Sequence, residues 1–318
     1  MQLRATVKTL PSILALSALL AAAPFAIGAP KPVKVFVLAG QSNMEGQGVV
    51  KSDPQRNEGK GSLEFLVKEP ASAERFKRLV DSAGKWVVRE DVWIWYLDRK
   101  GPLTVGYGAK KDLIGPELGF GTVIGDALDN QVLLIKVAWG GKSLAQDFRP
   151  PSSGGEVGHY YAEILKHTRD VLEHLKTYFP AYDGRGYELA GFGWHQGWND
   201  RVNQAFNDEY EKNMANFIRD IRKDLGVKNL PFVIAETGMS GREEEHPRAL
   251  SLMRAQAAVA EYPEFKGNVA FVGTRDFWRP REQSPSGQAF HWNGNAETYY
   301  LIGTGMGEAM KKLCGIAK

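Results

Sequence analysis

The sequence predicts an α/β protein of three layers, in which helices cover both faces of a mostly parallel sheet. The first observation is a set of short apolar runs rich in β-branched residues, which is typical of buried strands. Five such runs predict a five-stranded sheet, at residues 33–38, 132–137, 189–194, 232–235 and 269–272. Because each run is mostly apolar, with Lys34 and Lys136 as the charged exceptions, we expect these strands to be buried on both faces.

The second observation is that helical patterns separate most of these strands. Each has apolar residues at the spacing of one helix face, and the first opens with Pro116, a residue that suits a first helical turn. The predicted helices are residues 116–128, 161–178, 206–225, 247–262 and 296–313. Strands that alternate with helices favour a parallel sheet, because parallel neighbours need a crossover connection.

Residues 49–115 depart from this alternation. They contain a short aromatic strand candidate at 92–97 and end in a glycine-rich stretch at 101–108. No proline- or serine-rich linker isolates them, so they do not indicate a second domain. We therefore predict one domain, residues 30–318, with 49–115 as a peripheral excursion packed over one sheet edge.

Composition and the N-terminal segment narrow the functional class. The formal net charge is +3, and two of the basic residues, Arg4 and Lys8, precede an apolar run at 10–26 that ends in small residues. This pattern predicts a cleaved signal peptide, residues 1–29, and a secreted or periplasmic protein. The alternative, an uncleaved anchor, is disfavoured because prolines interrupt a run shorter than the ~18–20 residues of a typical span. No basic field remains that would indicate nucleic acid as a partner, and we expect no stable membrane insertion after cleavage.

Polar, glycine-bearing turns follow the first three apolar strands, at residues 40–44, 139–143 and 195–200. Ligands of open parallel sheets bind outside the carboxyl ends of the strands, so these turns predict one shared crevice. Ser42 in the first turn suits a nucleophile, because the following helix would aim backbone N–H groups at an oxyanion. On this pattern alone, however, a helix-capping serine is the stronger interpretation.

Five ordered blocks resemble a known family. The segments 40–44 (GQSNM), 114–120 (IGPELGF), 138–144 (AWGGKSL), 194–197 (WHQG) and 294–299 (GNAETY, beside His291) are similar to those of the SGNH hydrolases. More narrowly, they resemble the sialate O-acetylesterase-like branch, which includes the acetylxylan esterases of carbohydrate esterase family 6. The resemblance covers residues 33–305 and implies a flavodoxin-like fold.

The resemblance also implies site residues and an activity. Ser42 would be the nucleophile and His291 its base, while the oxyanion hole would be formed by the Ser42 N–H, the N–H of Gly140 or Gly141, and the Gln196 side chain. It implies a serine esterase that removes O-acetyl groups from a carbohydrate, with no cofactor. No metal-ligand motif such as His-Glu-x-x-His or Cys-x-x-Cys occurs, so we expect no catalytic metal.

The usual orienting acid of this family is missing at both of its positions. Some members have an aspartate three residues before the histidine, where this chain has Gln288; others have a glutamate after His-Gln-Gly, where it has Trp198. We favour Asp200 as the acid, although a helix cap is an equal interpretation. Asp276, Glu297 and a Ser–His dyad without an acid remain open.

Tryptophans near the predicted turns suggest the substrate class. Aromatic faces suit the apolar C–H surfaces of sugar rings, and we predict that Trp198 and Trp292 bind substrate. The substrate would be an acetylated polysaccharide or sialic acid. The alternative is a non-catalytic carbohydrate-binding protein on a degenerate esterase scaffold, because Gln288 and Trp198 replace both expected carboxylates. A secreted acyltransferase using the same residues also remains open.

Overall fold

The computed structural model describes residues 1–2 and 31–316. The chain divides into two compact units, Met1–Pro30 and Lys31–Lys318, and the fold below is that of the second. The predicted signal peptide lies almost wholly outside the described residues. Over the described part of the chain, no helix is both long enough and apolar enough to cross a membrane.

A seven-stranded, mostly parallel sheet forms the centre of the second unit, which confirms the predicted fold class. Its strands are β1 (Val33–Gly40), β3 (Arg89–Tyr96), β4 (Arg99–Leu103), β6 (Val132–Ala138), β7 (Tyr187–His195), β8 (Phe232–Ala235) and β9 (Val269–Val272). They lie in the order β4-β3-β6-β1-β7-β8-β9, and every neighbouring pair is parallel except β3 and β4. Strands β2 (Gly48–Val49) and β5 (Leu113–Ile114) form a separate antiparallel pair.

The predicted count of five strands was too low by two, and both additional strands lie at one edge of the sheet. β3 matches the aromatic candidate at 92–97 and pairs with β6 from Val92↔Val132 to Tyr96↔Lys136. β4 had no apolar signal, and it forms only because a tight turn folds it back on β3, where Tyr96 pairs with Arg99. Pro102 is tolerated in β4 because an edge strand leaves one side free of ladder hydrogen bonds.

Ten α-helices surround the strands in the described part of the chain. They are α1 (Ser42–Glu45), α2 (Leu63–Leu66), α3 (Pro70–Phe76), α4 (Pro116–Ala127), α5 (His159–Glu173), α6 (Leu175–Tyr178), α7 (Trp198–Arg201), α8 (Gln204–Asp224), α9 (Pro247–Ala260) and α10 (Ala296–Leu313). The predicted helix 161–178 is divided into α5 and α6, because His174 leaves the helical conformation.

The core lies on both faces of the sheet. Successive side chains of a strand point to opposite faces, and in β1 Val35 and Val37 pack into one hydrophobic cluster while Phe36 and Leu38 pack into the other. The first cluster includes residues of α5 and α8, and the second includes residues of α4 and α10. This arrangement gives the three predicted layers.

Helices α4 and α10 approach each other closely through two glycines. A Cβ added to Gly303 would lie 2.0 Å from the Pro116 carbonyl oxygen, and one added to Gly119 would lie 2.2 Å from that of Tyr300. Any larger residue would push the two helices apart. This contact joins α4 to the middle of α10, the helix that follows the loop with His291.

Candidate active site

Ser42 is the first residue of α1, directly after the buried strand β1. The strand reaches the turn through Gly40, whose φ is +154° and whose added Cβ would lie 2.2 Å from the His195 carbonyl oxygen at the end of β7. Only glycine allows this approach. The Gln41 N–H donates to the same carbonyl at 3.3 Å, so the turns after β1 and β7 lie side by side, as predicted from the strand ends.

The Gln41 side chain joins these two turns. Its Oε1 accepts a hydrogen bond from the Gly197 N–H at 3.1 Å, and its Nε2 donates to Asn199 Oδ1 at 3.0 Å. Asn199 Nδ2 then donates to the Gly141 carbonyl at 2.9 Å, in the turn after β6. The three glycine-bearing turns are therefore connected by one network of buried and half-buried amides.

His291 reaches the same site from a short helical segment, Ala289–Gly294, just before α10. The loop is connected to the nucleophile turn through Asn43, whose Nδ2 donates to the Phe290 carbonyl at 3.0 Å. The Tyr299 hydroxyl lies 2.7 Å from Asn43 Oδ1 and 3.2 Å from the His291 carbonyl oxygen. Contacts therefore join the neighbours of Ser42 and His291 directly.

The backbone after His291 is strained. Trp292, Asn293 and Gly294 have φ values of 50°, 54° and 68°, so two consecutive non-glycine residues are left-handed. Such a conformation costs roughly 1–2 kcal/mol per residue and persists only where the surroundings enforce it. Here Asn293 Nδ2 donates to the Arg279 carbonyl at 3.1 Å, and the Trp292 side chain is fully buried. The surroundings thus define the position of the loop that carries His291.

Asp200, the predicted triad acid, has hydrogen-bond partners other than His291. Its carboxylate is fully buried and accepts hydrogen bonds from the Leu144 N–H (2.9 Å), the Ala145 N–H (2.9 Å) and Gln196 Nε2 (2.6 Å). Burial raises the pKa of Asp200 to about 7, and these three donors oppose that shift. Asp200 therefore anchors the turn after β6. This role differs from both predicted ones, the helix cap and the triad acid.

The other two candidate acids are also paired elsewhere. Asp276 accepts from Arg242 Nε at 2.6 Å, and Glu297 accepts from Arg279 Nε at 2.7 Å. Burial lowers the pKa of His291, and no carboxylate contributes to that shift. An orienting acid would favour the imidazolium and oppose the decrease. All three candidate acids therefore have hydrogen-bond partners other than His291.

Two of the predicted oxyanion donors are already engaged. Gln196 Nε2 donates to the Lys142 carbonyl at 2.9 Å and to Asp200 Oδ2 at 2.6 Å, which uses both of its N–H bonds. The Gly140 N–H donates to Glu45 Oε1 at 3.0 Å. Among the described residues, the N–H groups of Ser42 and Gly141 have no acceptor. These two remain free to meet an oxyanion.

The two predicted substrate-binding tryptophans differ in exposure. Trp198, on α7, is half-buried, lies 5.6 Å from the Phe290 ring and has the Arg201 guanidinium 4.7 Å from its ring centroid. Trp292 is 0% exposed and packs near His195 and Trp278, so its side chain has no exposed surface. The backbone at Trp292 is left-handed and its side chain is buried, and sequence spacing reveals neither feature.

Sequence reasoning assigned no role to four residues that build the site: Gln41, Asn43, Glu45 and Tyr299. All except Glu45 lie within the blocks that carried the family resemblance. Polar residues beside a nucleophile at the end of a buried strand were an available signal, because such residues are buried and need partners. Their partners lie far away in the sequence, so their roles appear only in the fold.

Comparison with known proteins identifies the family. The model of the family described as carbohydrate esterase, sialic acid-specific acetylesterase matches residues 32–310. The chain belongs to this family. The resemblance inferred from the five blocks is therefore confirmed, and the fold and turns described above are those of a carbohydrate esterase family member.

Individual relatives agree with this assignment. A probable carbohydrate esterase from Arabidopsis thaliana is 26% identical over 206 residues, which cover 64% of this chain and 68% of that protein. The crystal structure of an Arabidopsis thaliana protein has a TM-score of 0.56 at 18% identity, covering 88% of this chain and 98% of the other. A carbohydrate acetylesterase from Xanthomonas citri has a TM-score of 0.52 at 14% identity, covering 89% of this chain and 56% of the other. At these identities the two structures show the shared fold.

Proposed function

We propose that the protein is a serine esterase that removes O-acetyl groups from a carbohydrate, with Ser42 as nucleophile and His291 as base. The observation that carries this proposal is the Asn43 bridge, which joins the nucleophile turn to the His291 loop through a 3.0 Å hydrogen bond. A catalytic pair needs its two residues held at a fixed relative position, and this hydrogen bond joins the immediate neighbours of both.

The proposed reaction is a two-step acyl transfer. Ser42 Oγ attacks the ester carbonyl while His291 accepts its proton and then returns it to the departing sugar hydroxyl. Water, deprotonated by His291, next attacks the acetyl-Ser42 intermediate. The bond between the acyl carbon and Ser42 Oγ then breaks, Oγ takes the proton from His291, and acetate is released. The Ser42 and Gly141 N–H groups would stabilise the oxyanion in both steps. Burial lowers the pKa of His291, so its basic form is available at neutral pH.

The proposed mechanism needs no orienting carboxylate. Contacts of the main chain hold the His291 loop instead: the His291 N–H donates to the Gln288 carbonyl at 2.8 Å, and its own carbonyl lies 3.2 Å from the Tyr299 hydroxyl. A Ser–His dyad lacks the stabilisation that a carboxylate gives to the imidazolium, so we expect slow turnover compared with a full triad.

The proposed substrate is an acetylated polysaccharide or an acetylated sialic acid. Trp198 and Phe290 present partly exposed aromatic surface beside His291, which suits the apolar face of a sugar ring. The names of the Arabidopsis and Xanthomonas relatives point to carbohydrate esters as well. The basic and apolar pattern of residues 4–29 supports export, to the periplasm or out of the cell.

The test compares the mature chain with Ser42→Ala on p-nitrophenyl acetate and, in parallel, on acetylated xylan. Ser82→Ala serves as the control, because Ser82 is exposed in a turn outside the site. We expect turnover by the wild type and by Ser82→Ala, and loss of turnover in Ser42→Ala and His291→Ala. Equal activity in Ser42→Ala and the wild type would overturn the proposed nucleophile.

A carbohydrate-binding protein without activity remains the second candidate, because all three candidate acids have partners other than His291. Circular dichroism first establishes that the wild type is folded. Folded protein that releases no acetate from either substrate, but binds xylan in affinity electrophoresis, would favour this second candidate over the esterase.

A further inference from the structure

We propose that Glu45 is a positioning residue of the oxyanion hole: its carboxylate holds the Gly140 N–H and thereby presents the Gly141 N–H to the oxyanion. This proposal rests on the esterase function proposed above. It assigns a role to a carboxylate that lies one helical turn after the nucleophile and belongs to none of the predicted catalytic groups.

Glu45 and Gly140 are in direct contact. Glu45 Oε1 accepts a hydrogen bond from the Gly140 N–H at 3.0 Å. A Cβ added to Gly140 would lie 3.1 Å from Glu45 Oε2 and 3.6 Å from Ser42 Cβ. Gly140 is therefore packed against both the nucleophile and the carboxylate, which occupy the same face of α1 because they are three residues apart.

The contact leaves Gly141 as the glycine donor. The peptide group between Gly140 and Gly141 has a hydrogen bond on each side, and the two bonds limit its orientation. On one side the Gly140 N–H donates to Glu45, and on the other the Gly141 carbonyl accepts from Asn199 Nδ2 at 2.9 Å. Gly141 itself has a φ of +71°, and no atom lies within 4 Å of a Cβ added there. Its N–H direction is thus set by two side chains, and the space beside it is open.

A buried ion pair fixes the main chain of Glu45 in turn. Lys136 is 0% exposed, and its Nζ donates to the carbonyl oxygens of Glu45 and Tyr107, each at 2.6 Å, and to Glu117 Oε2 at 2.7 Å. Glu117 Oε1 also accepts from the Gly115 N–H at 2.8 Å. The end of α1 is therefore held by a charged group in the core and has little freedom to move away from Gly140.

The charged and titratable groups around Glu45 define its ionisation. Lys136 faces it from β6. Tyr96 on β3 and Tyr299 on α10 lie near enough for the charge of Glu45 to raise the pKa of each phenol. Burial raises the pKa of Glu45, while the Gly140 N–H and the Lys136 ammonium oppose that increase. A carboxylate accepts a hydrogen bond more strongly than a carboxylic acid does, so the proposed positioning weakens as the pH falls through this raised pKa.

The experiment compares Glu45→Gln with Glu45→Ala in the mature chain, measuring kcat and KM for p-nitrophenyl acetate across pH. Glutamine keeps an oxygen that can accept from Gly140, whereas alanine removes it. We expect kcat to fall about 10-fold or more in Glu45→Ala with KM nearly unchanged, because oxyanion stabilisation acts mainly on the transition state. Glu45→Gln should have a kcat between those of Glu45→Ala and the wild type, because its neutral oxygen is a weaker acceptor, and it should lose the part of the acid limb that Glu45 contributes.

The controls separate this role from folding and from the esterase proposal. Glu90→Ala removes an exposed glutamate outside the site and should match the wild type. Wild-type kcat in a folded Glu45→Ala variant would overturn the proposal, and so would a Glu45→Gln variant as impaired as Glu45→Ala. If Glu45→Ala fails to fold, an unchanged acid limb in Glu45→Gln overturns it instead. An inactive wild type would contradict the esterase itself.

Discussion

Asn43 and Phe290 are hydrogen-bonded across 247 positions of sequence, with Asn43 Nδ2 donating to the Phe290 carbonyl at 3.0 Å. Asn43 follows Ser42, and Phe290 precedes His291. The Tyr299 hydroxyl accompanies this bond at 2.7 Å from Asn43 Oδ1. The strained loop before α10 is therefore attached to the nucleophile turn at a point next to both proposed catalytic residues, and this attachment decides their relative position.

Replacing Asn43 by alanine should separate these two segments. Because a displacement of about 1 Å between reacting groups can cost as much as ~10²-fold in rate, we expect kcat/KM for p-nitrophenyl acetate to fall at least ~10-fold. The loss of hydrogen bonds should also reduce the free energy of unfolding by about 1 kcal/mol. Asn43→Asp keeps the acceptor for Tyr299 but places a second oxygen against the Phe290 carbonyl in a buried setting, so it should be impaired as well. Wild-type kinetics in Asn43→Ala would contradict the role of the bridge.

Gln288→Asp introduces a carboxylate three residues before His291, where the two residues are already joined by the His291 N–H to Gln288 carbonyl bond of 2.8 Å. A nearby negative charge favours the imidazolium, so the pKa of His291 should rise from its burial-lowered position. We expect the acid limb of the kcat/KM profile to move to higher pH, and kcat to increase. Gln288→Asn is the neutral control. Identical profiles for the two variants would show that the new carboxylate does not reach the ring.

Asp200→Asn should act mainly on stability. An amide cannot accept from all three donors that now reach Asp200, so at least one buried N–H loses its partner, at a cost of about 1–3 kcal/mol. Denaturant unfolding monitored by tryptophan fluorescence measures this loss. Asp147→Asn is the matched control, because Asp147 accepts from the Ser143 N–H in a more exposed setting and should cost less. Unchanged unfolding of Asp200→Asn, with altered pH dependence of kcat, would favour Asp200 as the acid.

Lys136→Met should be the most destabilising of these changes. The Lys136–Glu117 pair is fully buried, and removing one member leaves the other as an unpaired charge, which costs about 3–5 kcal/mol. Adding Glu117→Gln removes that charge and should recover part of the loss. A double-mutant cycle of unfolding free energies measures the coupling. Additive effects of the two single changes would contradict a tight buried pair.

His195 should make the fold sensitive to acid. Burial lowers the pKa of His195 to about 4, whereas the unfolded chain has a value near 6.5. Between these values the unfolded state binds the proton more tightly, so stability is lost as the pH falls from about 6.5 towards 4. Thermal unfolding of the wild type and of His195→Gln over this window tests the point. The difference between the two curves should change with pH, and a constant difference would exclude His195 as the cause.

Local patterns in the sequence were sufficient for most of the sheet and helices. Each of the five predicted strands and five predicted helices has a counterpart in the structure, because a buried element needs a continuous or periodic apolar pattern wherever it lies. β4 (Arg99–Leu103) was not predicted, because an edge strand needs no apolar run and forms through its hydrogen bonds to the neighbouring strand. The blocks around Ser42 and His291 likewise identified the family without the fold.

What only the tertiary structure decided is which polar groups meet. Asp200 stands in the sequence beside a predicted catalytic turn, yet its partners are the N–H groups of Leu144 and Ala145 from another strand end. Trp292 adjoins His291, yet its backbone is left-handed and its side chain lies in the core. Hydrogen-bond partners and side-chain directions depend on how distant segments pack. The sequence alone therefore determined the family, the layers and the strand ends at which the polar turns lie. Packing determined which residues contact those turns and the loop with His291.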